Sequence, residues 1–362
     1  MPIATDFKTL ERCHLDWSNK QAYILTGGGK AEEYYTAERG FSFSPEELPH
    51  HHITKNRSHA VFHEWRSSKD PCTLITGAWN RPLFSGGWKH STSEDETVFN
   101  IQTHNLFIDM RIPKSRNLLM KFESISSLED LSPLQLRFLA RQHIFAGFST
   151  FDHENDRPVC TRHHCIDWNF VGAPRTRPNK WWIETNEDST KWKELSYSTD
   201  ENGQHYYFER WELLEEASEP RLALRKVSSS GRDGVLVIVG DHFNYVLARE
   251  FKGDENKYPQ KTLVGLVDAA VEAGDLTTAR SYLSIEGGHG RVSKDWILDC
   301  SIPPWNEGTR LWAEGDVRVD GDAIEGCQVK WKDDMWDVLD CSFDSVRDLE
   351  EFLSCPPKKM KH

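Results

Sequence analysis

The chain has 362 residues, with 44 basic against 57 acidic side chains and a formal charge of −13. That balance argues against nucleic acid or an anionic membrane as partner, because both need clustered Lys and Arg. A hydrophobic fraction of 38%, with 14 Trp, 18 Phe and 9 Tyr, argues against an unfolded chain, because these side chains supply a core.

Met1 to Asp6 carry neither the basic nor the apolar region of an export signal. No stretch approaches the ~18 apolar residues of a membrane span. Eight cysteines spread over the length therefore read as reduced thiols, and a cytoplasmic protein is expected. Gly27 to Gly29 read as a turn, without the spacing of a phosphate loop or a dinucleotide fingerprint.

From Cys72 onward the dominant period is two. Strands are expected over 72–79, 83–89, 97–102 and 105–112, then over 205–213, 221–227, 235–239 and 242–249. The series closes with 282–286, 296–300 and 309–312. The turn signals Asp200 to Gly203 and Arg232 to Gly234 separate some of them. About a dozen short strands predict a mainly β fold, an antiparallel barrel or sandwich. Helices are expected in three places. One starts at Ser132-Pro133 and stops at Gly147, one spans about 261–273, and a short one lies near 345–353. The expected organisation is an N-terminal extension over 1–58, a barrel over 59–312, and a hairpin with a short helix over 313–362.

Polar residues inside strands carry the functional signal. Period two places Phe107, Asp109 and Arg111 on one side of a strand and Ile108, Met110 and Ile112 on the other. If the apolar side packs against other elements, Asp109 and Arg111 face a barrel interior. Tyr207, Glu209 and Trp211 share a face in the same way. Trp181 and Trp182 lie beside Glu184. In the run from Cys160 to Trp168, His163, Cys165 and Asp167 alternate with His164, Ile166 and Trp168. His242 and Tyr245 fall where two strong strands meet. Carboxylates, Arg and His set among aromatics suit a ligand cavity, which is mainly apolar with a few placed polar groups. The candidate catalytic residues are Asp109, Arg111, Asp167, Glu184, Glu209 and His242. The candidate ligand-binding residues are Phe107, His164, Trp168, Trp182, Tyr207, Trp211 and Tyr245.

No resident metal or other cofactor is expected. Cys160, His163, His164 and Cys165 form no C-x-x-C pair, and adjacent His163 and His164 point opposite ways in a strand. His50 to His52 read as a solvated loop. No G-x-S-x-G nucleophile elbow occurs.

Three runs, Val98 to Pro113, Gly240 to Phe243 and Ile302 to Gly308, resemble a scattered, largely uncharacterised family of bacterial and fungal proteins. The resemblance covers about 72–308. It implies a lipocalin-like or calycin-like barrel and brings no catalytic residues with it. By architecture it also suggests an analogy with cofactor-free fungal cyclases of the Diels–Alderase type, although fold does not imply function. The expected function is a cofactor-independent enzyme that holds a small, partly apolar, oxygenated metabolite in the barrel. Dehydration, isomerisation or cyclisation would follow from proton transfer and proximity. A carrier or sensor using the same cavity is the second expectation. A structural protein with a filled core is the third.

Overall fold

Two antiparallel sheets organise the chain, one closed on itself and one curled beside it. The computed structural model describes residues 75–85, 96–104, 106–114, 116, 125–154, 157–169, 171, 179–200, 203–227, 232–250, 257–260 and 262–354. The expected extension over 1–58, with Gly27 to Gly29 and His50 to His52, lies outside the described residues.

The closed barrel consists of β1 (Gly77–Ser85), β2 (Glu96–Gln102), β3 (Leu106–Pro113), β4 (His143–Glu154), β5 (Arg157–Asp167), β6 (Asn179–Thr185), β7 (Lys191–Asp200) and β8 (Gly203–Leu213). β8 pairs back onto β1, with Phe84 opposite Glu209. The strands expected at 97–102, 105–112 and 205–213 are β2, β3 and the greater part of β8. Asp200 pairs directly with Gly203, which closes the hairpin expected there.

The second sheet has the spatial order β13-β12-β11-β10-β9-β16-β15-β14. Its strands are β9 (Arg221–Lys226), β10 (Gly234–Val239), β11 (His242–Leu247), β12 (Glu286–Arg291), β13 (Ile297–Ser301), β14 (Val317–Asp320), β15 (Gln328–Trp331) and β16 (Asp334–Cys341). The barrel therefore spans Gly77–Leu213 rather than continuing to residue 312, and the hairpin after residue 312 extends the second sheet. The physical reason is readable in β10. All six residues of Gly-Val-Leu-Val-Ile-Val are buried, which suits a sheet covered on both faces rather than the wall of a barrel with a polar interior.

One core joins the two sheets. Ile108, Met110 and Ile112 on the outer side of β3 pack with Val235, Val237 and Val246 of the second sheet. Three helices complete this core: α1 (Pro133–Leu139), α2 (Leu263–Glu272) and α3 (Leu276–Tyr282). Asn244 Nδ2 donates across the seam to the backbone oxygens of Phe99 (3.0 Å) and Ile108 (3.1 Å). The opposite face of the second sheet folds over its own core. There Leu298 of β13 joins Val317 and Val319 of β14 and Leu349 of α4 (Val346–Ser354).

Ser132 caps α1 as its sequence predicts, in a reciprocal capping box with Gln135 and with Pro133 at the first position. The helix ends at Leu139, not at Gly147. Ile144, Phe145 and Phe148, aromatic and β-branched, enter β4 instead. Gly147 sits against a bulge. Asp167 pairs with Phe145 and His164 with Gly147, so β5 uses one residue more than β4. A Cβ at Gly147 would lie 1.8 Å from the carbonyl oxygen of His163, which only glycine avoids. The segment 282–286 is not one strand: Tyr282 ends α3 and Glu286 begins β12. Residues 309–312 contribute a single bridge, Ile297 to Arg310.

Candidate functional site

Alternation decides what the barrel encloses. On β3 it turns Phe107, Asp109 and Arg111 inward, because the other face is committed to the seam core. The partners across the ladders follow: Val98, Asn100 and Gln102 on β2, Phe145 on β4, Arg162 on β5, Glu194 on β7 and Glu209 on β8. β1 turns Trp79 and Arg81 inward, then shifts register between Asn80 and Leu83 so that Phe84 also faces in.

Three guanidiniums and four carboxyls form one chain through this interior. Arg81 donates to Glu96 and Glu209, each at 2.8 Å. Arg111 grips Asp109 with two parallel bonds of 2.8 Å and reaches Glu209 at 3.3 Å. Arg162 Nη1 lies 3.7 Å from Asp109 and 3.7 Å from Glu194. Its other nitrogen donates to Gln102 at 3.2 Å. Asp109 and Glu209 are fully buried. The guanidiniums also stack on aromatic rings, Arg162 over Phe107 at 4.6 Å and Arg111 over Phe145 at 5.2 Å. Trp79, Trp192 and Trp211 form an adjoining indole cluster, with Trp192 and Trp211 stacked at 5.3 Å.

The carboxyls do not share one protonation state. Burial pushes Glu194 up to about 8, and the nearby Glu209 adds to the shift while Arg162 opposes it. Burial pushes Asp109 in the same direction, but Arg111, Arg162 and Arg81 outweigh it and hold the carboxyl below its usual range. Burial thus favours the protonated form of Glu194 and the guanidiniums favour the ionised form of Asp109, on either side of Arg162. Burial raises the Cys160 thiol to about 12, so it is not a nucleophile at neutral pH.

The remaining expected residues divide. His164 is inward, stacked on Phe145 at 4.6 Å, and the β5 bulge brings Asp167 to its face, with Nδ1 and the carboxylate 2.5 Å apart. Trp211 lies in the indole cluster. Glu184 is exposed, and Trp182 lies on the opposite face from Trp181, which Arg162 overlies, and from Ile183 of the indole cluster, so neither joins the interior. The cause is strand parity: the two indoles point to opposite sides. Trp168 packs outside the barrel and donates its indole N–H to Ala140. Tyr245 belongs to the core of the second sheet. The side chain of Tyr207 lies outside the described residues. Sequence reasoning missed Arg81, Glu96, Asn100, Arg162 and Glu194. The last two carried a signal: Arg162 shares a strand face with Cys160 and His164, and Glu194 shares one with Trp192.

His242 sits in the seam, not in the barrel. Its Nε2 donates to Glu215 O at 2.8 Å, which leaves Nδ1 to accept from His289 Nε2 at 3.2 Å. The His289 ring lies flat on Phe99 of β2 at 3.7 Å. Burial lowers both imidazole pKa values. Around His242 the hydrogen bond to Glu215, Asp241 and Glu216 oppose that shift while Arg291 adds to it; around His289 the neighbouring His242, Arg291 and Lys294 add to it. Imidazoles depressed in the folded state give stability that is complete above pH ~6.5 and falls as the unfolded chain takes up protons below it. The unfolding free energy should drop by about 1 kcal/mol or more between pH 7 and 5. His289→Phe should flatten that slope in urea titrations, and an unchanged slope would remove the pair from the account.

Among the described residues no group of three or more His, Cys, Asp or Glu is arranged to hold a metal ion, and no helix is long and apolar enough to cross a membrane. No family model matches the chain, and no curated protein matches it. One solved structure that the chain weakly resembles is the uncharacterized protein YLR301w from Saccharomyces cerevisiae. It is 13% identical, with a TM-score of 0.40, over 74% of this chain and 99% of that one. At that similarity nothing is carried over from it.

Proposed function

We propose that the barrel of this chain binds a small, partly apolar, oxygenated molecule and moves a proton on it without a resident cofactor. The observation behind this reading is the pair of interior carboxyls at 3.7 Å on either side of Arg162. Environments that push two carboxyls apart in protonation state make an acid and an ionised partner available at one pH. Glu194 is the proton donor. Asp109, held ionised, faces positive charge as it develops, and Arg111 fixes its orientation through two bonds. Dehydration, isomerisation and acid-promoted cyclisation ask for no more than this. The indole cluster of Trp79, Trp192 and Trp211 offers an apolar wall against which a flexible substrate can be held near its reacting shape. On this reading the chain is a lipocalin-like relative of the cofactor-free cyclases, with its chemistry inside the barrel.

A carrier without turnover is the second reading. Asp109 and Arg111 are already engaged with each other, which suits a site that only receives a guest. Glu194→Gln separates the two. The variant should keep ligand binding and lose turnover by about 100-fold or more, the usual size of a general-acid contribution. The check is product formation by NMR on a panel of unsaturated alcohols and ketones, beside binding by ligand-observed NMR. Binding with no turnover in the unaltered protein would leave the carrier.

A further inference from the structure

We infer that the guest of the barrel is an uncharged carbonyl compound, an amide in preference to a carboxylate, received by Asn100. This rests on the reading of the barrel as a binding site and names the class of ligand it takes. Asn100 on β2 is fully buried, and neither its amide nitrogen nor its amide oxygen has a hydrogen-bond partner among the described residues. Its neighbours on the same rung are Trp79 on β1 and Asp109 on β3, so its amide faces the interior beside both the indoles and the ion chain. Buried polar groups are normally satisfied, and a primary amide left wholly unpaired marks a place where something else supplies the partners.

Two more donors lie close by in the fold. The indole N–H of Trp79 is spent on Ile75 O at 2.8 Å. Those of Trp192 and Trp211, buried in the same cluster, have no partner among the described residues. The unpaired set is thus rich in donors, with one acceptor on Asn100, and a carbonyl oxygen answers it. The charge of the guest follows from the guanidiniums. Arg81, Arg111 and Arg162 each already face carboxylates, so none is left over to neutralise an anion. A carboxylate entering would be desolvated beside Asp109 and Glu209 with no cation of its own. An amide has the complementary donor and acceptor edge and carries no charge.

Matched pairs differing only in charge test this: benzamide against benzoate and cinnamamide against cinnamate, measured by saturation-transfer NMR on the full chain at pH 7. The amides are expected to bind at least tenfold more tightly than the carboxylates. Asn100→Leu should weaken amide binding about tenfold, the worth of one good hydrogen bond. The same variant should raise the thermal midpoint by ~2 °C or more, because it removes an unpaired polar group from the interior. Trp192→Phe keeps the ring, loses the N–H, and should weaken the amides several-fold. Carboxylates binding as well as amides would overturn the inference while leaving the barrel a binding site. So would undiminished amide binding in Asn100→Leu, which would mean that water alone satisfies the amide. Failure of every probe to bind would overturn the binding reading itself and this inference with it.

Discussion

Replacing Arg111 by Met should cost about 3–5 kcal/mol of stability at pH 7, the usual loss when one partner of a buried pair is removed. Asp109 would keep Arg162, at 3.7 Å, and Glu209 would keep Arg81, at 2.8 Å. Domains are commonly stable by only 5–15 kcal/mol, so a loss of this size is a large part of the whole. The pH dependence identifies the cause. In the unaltered chain Asp109 is held below its usual range. Its contribution is therefore fully present above pH ~3.8 and is lost as pH falls through the folded value. Without Arg111, burial dominates and the carboxyl favours its proton, so the variant regains ground as pH falls. The gap between the two proteins should be widest near pH 7 and narrow toward pH 4. Arg111→Met combined with Asp109→Leu should recover most of the loss, since replacing a whole buried pair with apolar groups is often neutral. Arg347→Met provides the contrast. That residue forms an exposed i, i+4 pair with Glu351, side-chain exposures 85% and 64%, and its loss should leave stability almost unchanged. Urea unfolding at pH 4, 5.5 and 7 measures all four proteins. A loss below ~1 kcal/mol for Arg111→Met would mean that the interior is wet enough to screen the pair.

The barrel interior was partly legible because period two is a local rule. Phe107, Asp109 and Arg111 follow from parity and from Ile108, Met110 and Ile112 needing a dry neighbour. Glu209 and Trp211 follow the same way. Parity fails wherever a strand gains a residue. The bulge on β5 turns Asp167 to the face of His164, and the register shift on β1 puts both Arg81 and Phe84 inside. No short-range pattern announces either. Trp182 and Glu184 were misplaced for a simpler reason: in Trp-Trp-Ile-Glu the alternation works from either starting point, and only the ladder to β5 and β7 decides it. His242 and Tyr245 belong to strands whose alternation is clear, but which sheet a strand joins depends on long-range pairing. β9 to β13 read as barrel strands because nothing local distinguishes a wall of the first sheet from a strand of the second. The clue was the unbroken apolar run of β10, buried on both sides. Glu194 is masked by the lysines around it, which make Lys-Trp-Lys-Glu look solvated, whereas Lys191 and Lys193 are the exposed half and Trp192 and Glu194 the buried half of one strand.

Glu194→Gln should make the protein markedly more stable than the unaltered chain at pH 9 and close to equal with it at pH 5. Burial is the main cause of a folded pKa of about 8, against an ordinary glutamate value near 4.5. A carboxyl raised in this way binds its proton more tightly in the folded state than in the unfolded one. Between pH ~4.5 and ~8 the unfolded chain gives up that proton first, so stability falls as pH rises across this window. Above it the folded protein must carry an additional buried anion beside Glu209, to which Arg162 at 3.7 Å is a partial answer. A rise from about 4.5 to about 8 corresponds to roughly 5 kcal/mol at most, and the coupling to Glu209 spreads part of it over both groups. Glutamine has nearly the same shape and no proton to lose, so its stability should be flat where the glutamate slopes. Thermal unfolding from pH 5 to 9 supplies the comparison. Parallel curves for the two proteins would mean that Glu194 is ionised throughout, which removes both the slope and the proton donor from the barrel. Diverging curves place a proton inside the sheet at neutral pH, 3.7 Å from the guanidinium that also faces Asp109. The same residue then links two measurements: the pH at which the divergence levels off should equal the alkaline limb of any turnover the barrel supports, because both report the loss of one proton from the folded protein.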